Sequence, residues 1–316
     1  MQHSSPQTIS MKRRYQVDML RDLMINTYSI VGFDRKTHDL GVACASKFPA
    51  VGAYVPMARA SIGAVANQSW WNASHSPEAL RLLQQNVPPK DVLARILRDD
   101  PKEAYRQIAV VDREGRIAAH TGRYCQYWAG HRVGKFCSAQ GNVLAGRRVV
   151  DAMVDTFESA GADLLDRLVS ALQAGEDAGG DMRGRQAAGV LVVRRKGGFR
   201  GEDDKYADLR VDDHPEPVRE LGRLVRVLDS DMLHRPGSRD LCLFQGHDVE
   251  ELQRTLKNLG FYKGPINGTF GDRLDLAVRS FEHANHLWQT GSASRPLLEV
   301  MLRRTRQRRK QSSKHR

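Results

Sequence analysis

The sequence predicts an α+β fold, with two antiparallel β-sheets covered by helices up to about residue 228 and a small three-helix module after it. Three observations predict it. Hairpins of short apolar strands alternate with pairs of amphipathic helices, which argues against a simple βαβ array. Residues 229–247 (DSDMLHRPGSRDLCLFQGH) show no sustained period, and beyond them apolar helical stripes recur within about 55 residues. A chain of 316 residues divides readily into two such units, since domains commonly run ~100–200 residues.

Thr27 opens the first strand-like stretch, TYSIVGFD, which the polar turn RKTHD joins to LGVACAS; SIGAVANQ follows as a third strand. Ser76 then reads as an N-cap with Pro77 at the first helical position, and a second helix near 90–98 places Val92, Leu93, Ile96 and Leu97 on one stripe. Strands return at QIAVVD, RIAAHTG and FCSAQGN. A second helix pair carries Val150, Met153, Val154 and Phe157 on one face and LLDRLVSALQAG in its partner. The apolar strand AAGVLVV, the segment DLRVDD and a helix over about 217–228 close the block. In the last unit Val249, Leu252, Leu256 and Leu259 share a face that Gly260 ends. After the loop FYKGPINGTFG, Leu274, Ala277, Val278 and Phe281 form a second stripe, and Leu297, Leu298 and Met301 a third.

The net charge of +12 is unevenly placed. Residues 303–316 carry eight Lys or Arg and no acid, and residues 1–26 a net +2, so the remainder holds only +2. A basic tail of this kind attracts anionic polymers through screened, non-specific contacts, so no specific nucleic-acid partner is expected. No apolar run approaches the ~18 residues of a membrane span. Cys44, Cys125, Cys137 and Cys242 show neither C-x-x-C nor zinc-like spacing, and Asp212, Asp213 and His214 alternate faces on a strand, so no metal or cofactor is expected. The first 26 residues lack the continuous apolar core of a secretory signal, which implies a cytoplasmic protein by default and an extracytoplasmic one if the true start lies elsewhere.

The segment DVEELQRTLKNLGFYKGPINGTFGDRLDLAVRSFEHANHLWQTG resembles the peptidoglycan-binding domain-like family through LQ-x-x-L-x-x-LGFY-x-G, ING-x-FG and AV-x-x-F-x-x-x-N-x-L. Glu282 stands where that family usually has Gln. The resemblance implies a module over 248–302 that takes peptidoglycan or a muropeptide fragment, with Phe261, Asn267 and Phe270 as glycan contacts, because aromatic faces stack on sugars.

The preceding block carries LGVACASKFPAVGAYVP, ARASIGAVANQSWWN, AYRQIAVVDREGRIAAHTG, WAGH, QGNVLAG and AGGDMRGRQAAGVLVV in order, and over 27–228 it resembles the bacterial and archaeal family called domain of unknown function 1028. That family is grouped with the N-terminal-nucleophile hydrolases. The resemblance implies an αββα sandwich and a mature chain that begins at its nucleophile, here Thr27. The side chain attacks an amide carbonyl, the free α-amine acts as base, and nearby amide groups hold the oxyanion. Met24, Ile25 and Asn26 precede Thr27, so the Asn26–Thr27 bond must be cut and residues 1–26 form an extension to be removed.

Members of the superfamily use a Lys to lower the amine's pKa; SIGAVANQ offers none, and Lys47 is the nearest candidate. Asn67 is the candidate oxyanion donor, with Gln68 beside it. His120, His131 and Asn142 are candidate pocket groups, and Asp181, Arg183 and Arg185 lie in glycine-flanked turns where guanidinium groups grip carboxylates. The expectation is a homo-oligomeric amide hydrolase acting on a small amide or a cell-wall-derived peptide. Its rival is a non-catalytic ligand-binding or peptidoglycan-binding protein on the same scaffold.

Overall fold

The computed structural model describes residues 24–229, 233, 247–285, 297–298 and 300–305. The chain forms two compact units, Met1–Val225 and Arg226–Arg316. Most of the leading extension and of the 229–247 linker, Cys242, and the basic tail beyond residue 305 lie outside the described residues.

Among its described residues the first unit holds ten strands: β1 (Tyr28–Phe33), β2 (Leu40–Ser46), β3 (Pro56–Arg59), β4 (Gly63–Ser69), β5 (Arg106–Asp112), β6 (Ile117–Thr121), β7 (Trp128–Val133), β8 (Cys137–Leu144), β9 (Ala187–Val193) and β10 (Lys205–Val211). They form two antiparallel sheets, one in the order β10-β9-β2-β1-β8-β7 and one in the order β3-β4-β5-β6. Helices α1 (His75–Gln84) and α2 (Pro89–Arg98) cover the smaller sheet, while α3 (Arg148–Ser159) and α4 (Leu164–Asp177) cover the larger. With the sheets packed face to face, the unit is a four-layered α+β sandwich, closed in sequence by α5 (Pro217–Leu228).

Strand alternation decides what each layer buries. Val31, Phe33, Leu40, Val42, Ala64, Ala66, Ala109 and Val111 meet between the sheets. Their neighbours Val65, Ile108 and Val110 face out to α1 and α2 and join Leu80, Leu83, Val92 and Leu93. On the other side, a side chain at Gly32 would lie 2.9 Å from the Phe157 ring, and one at Gly41 2.7 Å from Leu168, so glycine lets α3 and α4 sit close against the sheet.

β3 and β7, which the periodicity does not reveal, are edge strands. β3 is four residues long and opens on Pro56, which has no N–H to give a neighbour. α1 begins at His75 rather than beyond Ser76, because Asn72 Oδ1 accepts from the Ser74 N–H at 3.0 Å and the Ser74 hydroxyl at 2.8 Å and so turns the chain earlier.

In the second unit α6 (His247–Leu259) and α7 (Asp272–Ala284) pack through Val249, Leu252, Leu256, Leu259, Leu274, Val278 and Phe281 against Leu297, Leu298 and Met301. Among the described residues no helix is long and apolar enough to cross a membrane.

We predict that Phe157→Ala, which empties a fully buried site beneath Gly32, lowers stability by about 3–5 kcal/mol. Urea unfolding measures it; an unchanged midpoint would mean that the ring is not part of the core.

Candidate functional site

The space between the sheets changes character along the strands. At one end it is aliphatic; at the other, the same inward parity brings up Ser29 of β1, Gln68 of β4, Gln107 of β5, and Ser138, Gln140 and Asn142 of β8, all buried. Buried polar groups demand partners, and these largely find one another, Asn142 Oδ1 being left without one. Gln107 Oε1 accepts from Gln68 Nε2 and Asn142 Nδ2, both at 2.8 Å, and its Nε2 donates to Gly141 O at 2.8 Å and to Thr121 Oγ1 at 3.1 Å. Ser29 Oγ donates to Gln68 Oε1 and accepts from Gln140 Nε2, each at 2.6 Å.

Thr27 stands at the entrance to β1, with the parity of Ser29. Its carbonyl accepts from Gln68 Nε2 at 3.0 Å and from the Asn142 N–H at 3.1 Å, so both sheets grip it. Its hydroxyl is fully buried and has no hydrogen-bond partner. Such an orphan costs roughly 1–3 kcal/mol in a folded interior, and Asn26 Oδ1 and Asn142 Oδ1 near it, like Ser76 Oγ away from it, are also without a partner.

The preceding carbonyl, Asn26 O, receives Arg183 Nη2 at 2.9 Å and the Ser46 hydroxyl. Asp181 aims the guanidinium: its carboxylate, only 1% exposed, accepts from Arg183 Nη2 at 2.6 Å, from Arg183 Nε and N–H at 3.0 Å each, and from the Lys47 N–H at 3.1 Å. Met24, Ile25 and Asn26 are themselves buried, and Ile25 and Ser69 exchange two backbone hydrogen bonds of 2.9 Å. Ser69 (φ 65°) and Val143 (φ 57°) hold left-handed backbone on either side of Thr27. That region is unfavourable for a β-branched residue such as Val143, and strain of this kind gathers at working sites.

Beside Ser46 and Asp181 lies a cavity of about 300 Å³, walled also by Tyr28, Glu176, Gly180 and Arg185. Burial pushes the Glu176 carboxyl above its ordinary range, while Arg185, 3.4 Å away, pulls it back. Burial, reinforced by Glu176 and Asp181, holds the Tyr28 hydroxyl well above its usual range, so it stays protonated.

The fold thus gathers Thr27, Gln68, Asn142, Asp181 and Arg183, with Arg185 in the adjoining wall. It leaves others aside. Lys47 is exposed, and its ammonium donates to Arg185 O at 3.3 Å. Asn67 points to the opposite face of β4 from Gln68, and its Nδ2 donates to Asn72 O at 2.7 Å. His131 meets the Gln107 group only through Thr121, at 2.9 Å, and His120 pairs with Glu103 at 3.1 Å. Ser29, Ser46, Gln107 and Gln140 are residues that sequence reasoning passed over. Their signal is a polar residue at inward parity within a buried strand, single in β5 and repeated as Ser138, Gln140 and Asn142 in β8. Among the described residues no three His, Cys, Asp or Glu side chains are grouped to hold a metal.

In the helical unit Gln253, fully buried, builds the loop after α6. Its Oε1 accepts from the Asn267 and Gly268 N–H groups at 2.8 and 3.1 Å, and its Nε2 donates to Asn267 Oδ1 at 2.9 Å. Asn267 is therefore bound up in holding the loop. Phe261 packs edge-on against Phe281 at 5.4 Å, whereas Phe270 is 39% exposed.

Comparison with known proteins matches two stretches. A family model described as "Family of unknown function (DUF1028)" covers residues 27–221, and one described as "Putative peptidoglycan binding domain" covers 245–301. The crystal structure of protein SPO2555 from Silicibacter pomeroyi, a DUF1028 protein, superposes with a TM-score of 0.60 at 28% identity, over 68% of this chain and 89% of that one. A curated protein of Nostoc punctiforme, named "Putative OxPP cycle protein OpcA", is 36% identical over 55 residues, which are 17% of this chain and 12% of that protein.

We predict that Gln107→Leu destabilises the first unit by about 3 kcal/mol or more, because it strands two amide donors and the Gly141 carbonyl in a dry interior. A loss below about 0.5 kcal/mol in chemical denaturation, the scale of an ordinary surface change, would show the network to be dispensable.

Proposed function

Since the chain belongs to the DUF1028 family and carries a peptidoglycan-binding domain behind it, we propose that it is a peptidoglycan-associated amide hydrolase of N-terminal-nucleophile type, with Thr27 as its nucleophile. One observation supports this above the rest. The carbonyl of the Asn26–Thr27 bond lies under a positioned guanidinium and a hydroxyl, while the Thr27 hydroxyl next to it is buried without a partner.

That arrangement suits cleavage of the chain by itself. The Thr27 oxygen adds to the Asn26 carbonyl carbon, and charge developing on the carbonyl oxygen is met by Arg183 and Ser46. The C–N bond then breaks, and the hydroxyl proton ends on the departing nitrogen. The product is an ester with a free α-amine at Thr27. Water hydrolyses the ester, leaving Asn26 as a carboxylate and the hydroxyl restored. The same pair then serves an incoming amide: the α-amine takes the hydroxyl proton and passes it to the leaving amine, and water frees the acyl group. A cell-wall-derived peptide is the substrate class that suits the second domain.

The second reading is a ligand-holding scaffold without chemistry. The Lys47 ammonium favours it, because it is turned to Arg185 O and not to Thr27, which leaves the α-amine without a lysine to lower its pKa. Mass spectrometry of the purified chain decides between the two. We predict a mature chain that begins at Thr27, conversion abolished by Thr27→Ala and kept by Thr27→Ser, and slowing by about 10²–10³ for Arg183→Gln. A wild-type chain that keeps residues 1–26 through prolonged incubation would overturn the hydrolase reading.

The helical unit is tested separately. We predict that Phe270→Ala reduces co-sedimentation with purified peptidoglycan several-fold without moving the melting temperature, since the ring is exposed. Equal sedimentation of variant and wild type would remove Phe270 from the contact.

A further inference from the structure

The four-stranded sheet has an unusual gap. β3 begins at Pro56, opposite Ala66, so the last part of β4 loses its neighbour on that side; only the Asn67 N–H still reaches Val55 O, at 3.2 Å. Ser69 is paired with Arg106 of β5 on its other side. Its outward N–H and C=O would be left open, and Ile25 fills them with two hydrogen bonds of 2.9 Å. The residues before the Asn26–Thr27 bond thus dock in a slot on the open edge through one antiparallel bridge at Ile25, around which the chain turns, the Asn26 N–H donating back to Met24 O at 2.9 Å.

The slot also has side-chain specificity. Ile25 is 5% exposed and belongs to the apolar cluster containing Val51, Val55 and Ala66, with Phe48 and Trp71 at its margin. Asn26 is 3% exposed, and its Oδ1 has no partner. Backbone pairing at an open sheet edge, with a side chain seated in a pocket, is a recurrent way of recognising peptides.

We propose that this slot is the acyl-side binding site for substrate: a peptide pairs with Ser69 as Ile25 does and seats an apolar residue second from the scissile bond. The inference rests on the Thr27 reading and narrows its substrate from any amide to a peptide with an apolar L-residue second from the scissile bond. A free small amide would leave Ser69 and the Ile25 pocket empty. An acidic or D-residue at the second position would bury a carboxylate or turn its side chain away from the pocket.

Two experiments test it. On the self-cleaved chain, hydrolysis of acetyl-Met-Ile-Asn-aminomethylcoumarin is compared with that of the peptides carrying Asp or D-Glu in place of Ile. The expected result is a kcat/KM at least about 100-fold higher for the Ile peptide, by the cost of burying an unpaired carboxylate. Equal or inverted rates overturn the slot while leaving the hydrolase intact. The second experiment needs no chemistry and uses full-length Thr27→Ala, which keeps its leader. There the Ser69 amide is protected from hydrogen exchange, Ile25→Asp removes the protection and Ile25→Val keeps it. A Ser69 amide equally protected in Ile25→Asp, with the other β1 and β4 amides still protected, overturns the slot whatever the fate of the Asn26–Thr27 bond.

Discussion

Everything in the first unit rests on keeping a polar interior dry between two sheets. Amides in such a place must satisfy one another, and here the solution is reached across sheet and strand. Gln107 on β5 ties Gln68 on β4 to Asn142 on β8, and Ser29 on β1 ties Gln68 to Gln140. Because these bonds join the four-stranded sheet to the six-stranded one, sliding either past the other breaks several at once. Hydrophobic contact between Val31, Ala66 and Val111 tolerates small shifts; an amide bonded on both of its atoms does not. The network therefore fixes the position of the Thr27 main chain, which it holds by the carbonyl from both sides.

A second constraint acts on the same point from the outside. The incomplete edge of β4, the left-handed backbone at Ser69 and Val143, and the Asp181–Arg183 pair surround residues 25–27. The turn bearing Asp181 is possible because Gly179 takes φ 115°, where a side chain would come within 2.6 Å of Ala145. Loop conformation, strand ending and charge pairing converge on one peptide group.

The architecture was legible because each layer has its own period. Strands buried on both faces, such as GAVANQS and LGVACAS, read as short apolar runs, and α3 and α4 show apolar stripes at helical spacing. The edge strands β3 and β7 were not legible, since half-exposed residues such as those of PMAR carry little period. At the site, Thr27 is legible through the family resemblance, and Asn142, Asp181 and Arg183 through the glycine-flanked stretches that carry them. Gln107 and Ser46 escaped because no motif stretch singles them out and their partners are distant in sequence: Ser46 meets Asn26 across the β1–β2 hairpin, and Gln107 meets Asn142 across the sandwich. Asn67 and Gln68 show the limit of reading a neighbouring pair as one feature. They are adjacent in sequence, yet strand alternation sends one inward to Thr27 and the other out toward Asn72.

The choice between a catalytic and a passive role turns on what Arg183 is for. An uncharged peptide carbonyl in the interior is fully served by a neutral donor, and the Ser46 hydroxyl already supplies one to Asn26. Asp181 holds a guanidinium at the same oxygen; its carboxylate is 1% exposed and also accepts from the Lys47 and Arg183 N–H groups, while the Arg183 side chain is 35% exposed. The arrangement becomes favourable when that oxygen carries charge, as it does only while a nucleophile is bonded to the carbon. The Thr27 hydroxyl is the group next to that carbon, and it has no other partner. A positively charged donor at a neutral oxygen, with an unpartnered hydroxyl beside it, is the arrangement on which the proposed role of Thr27 rests.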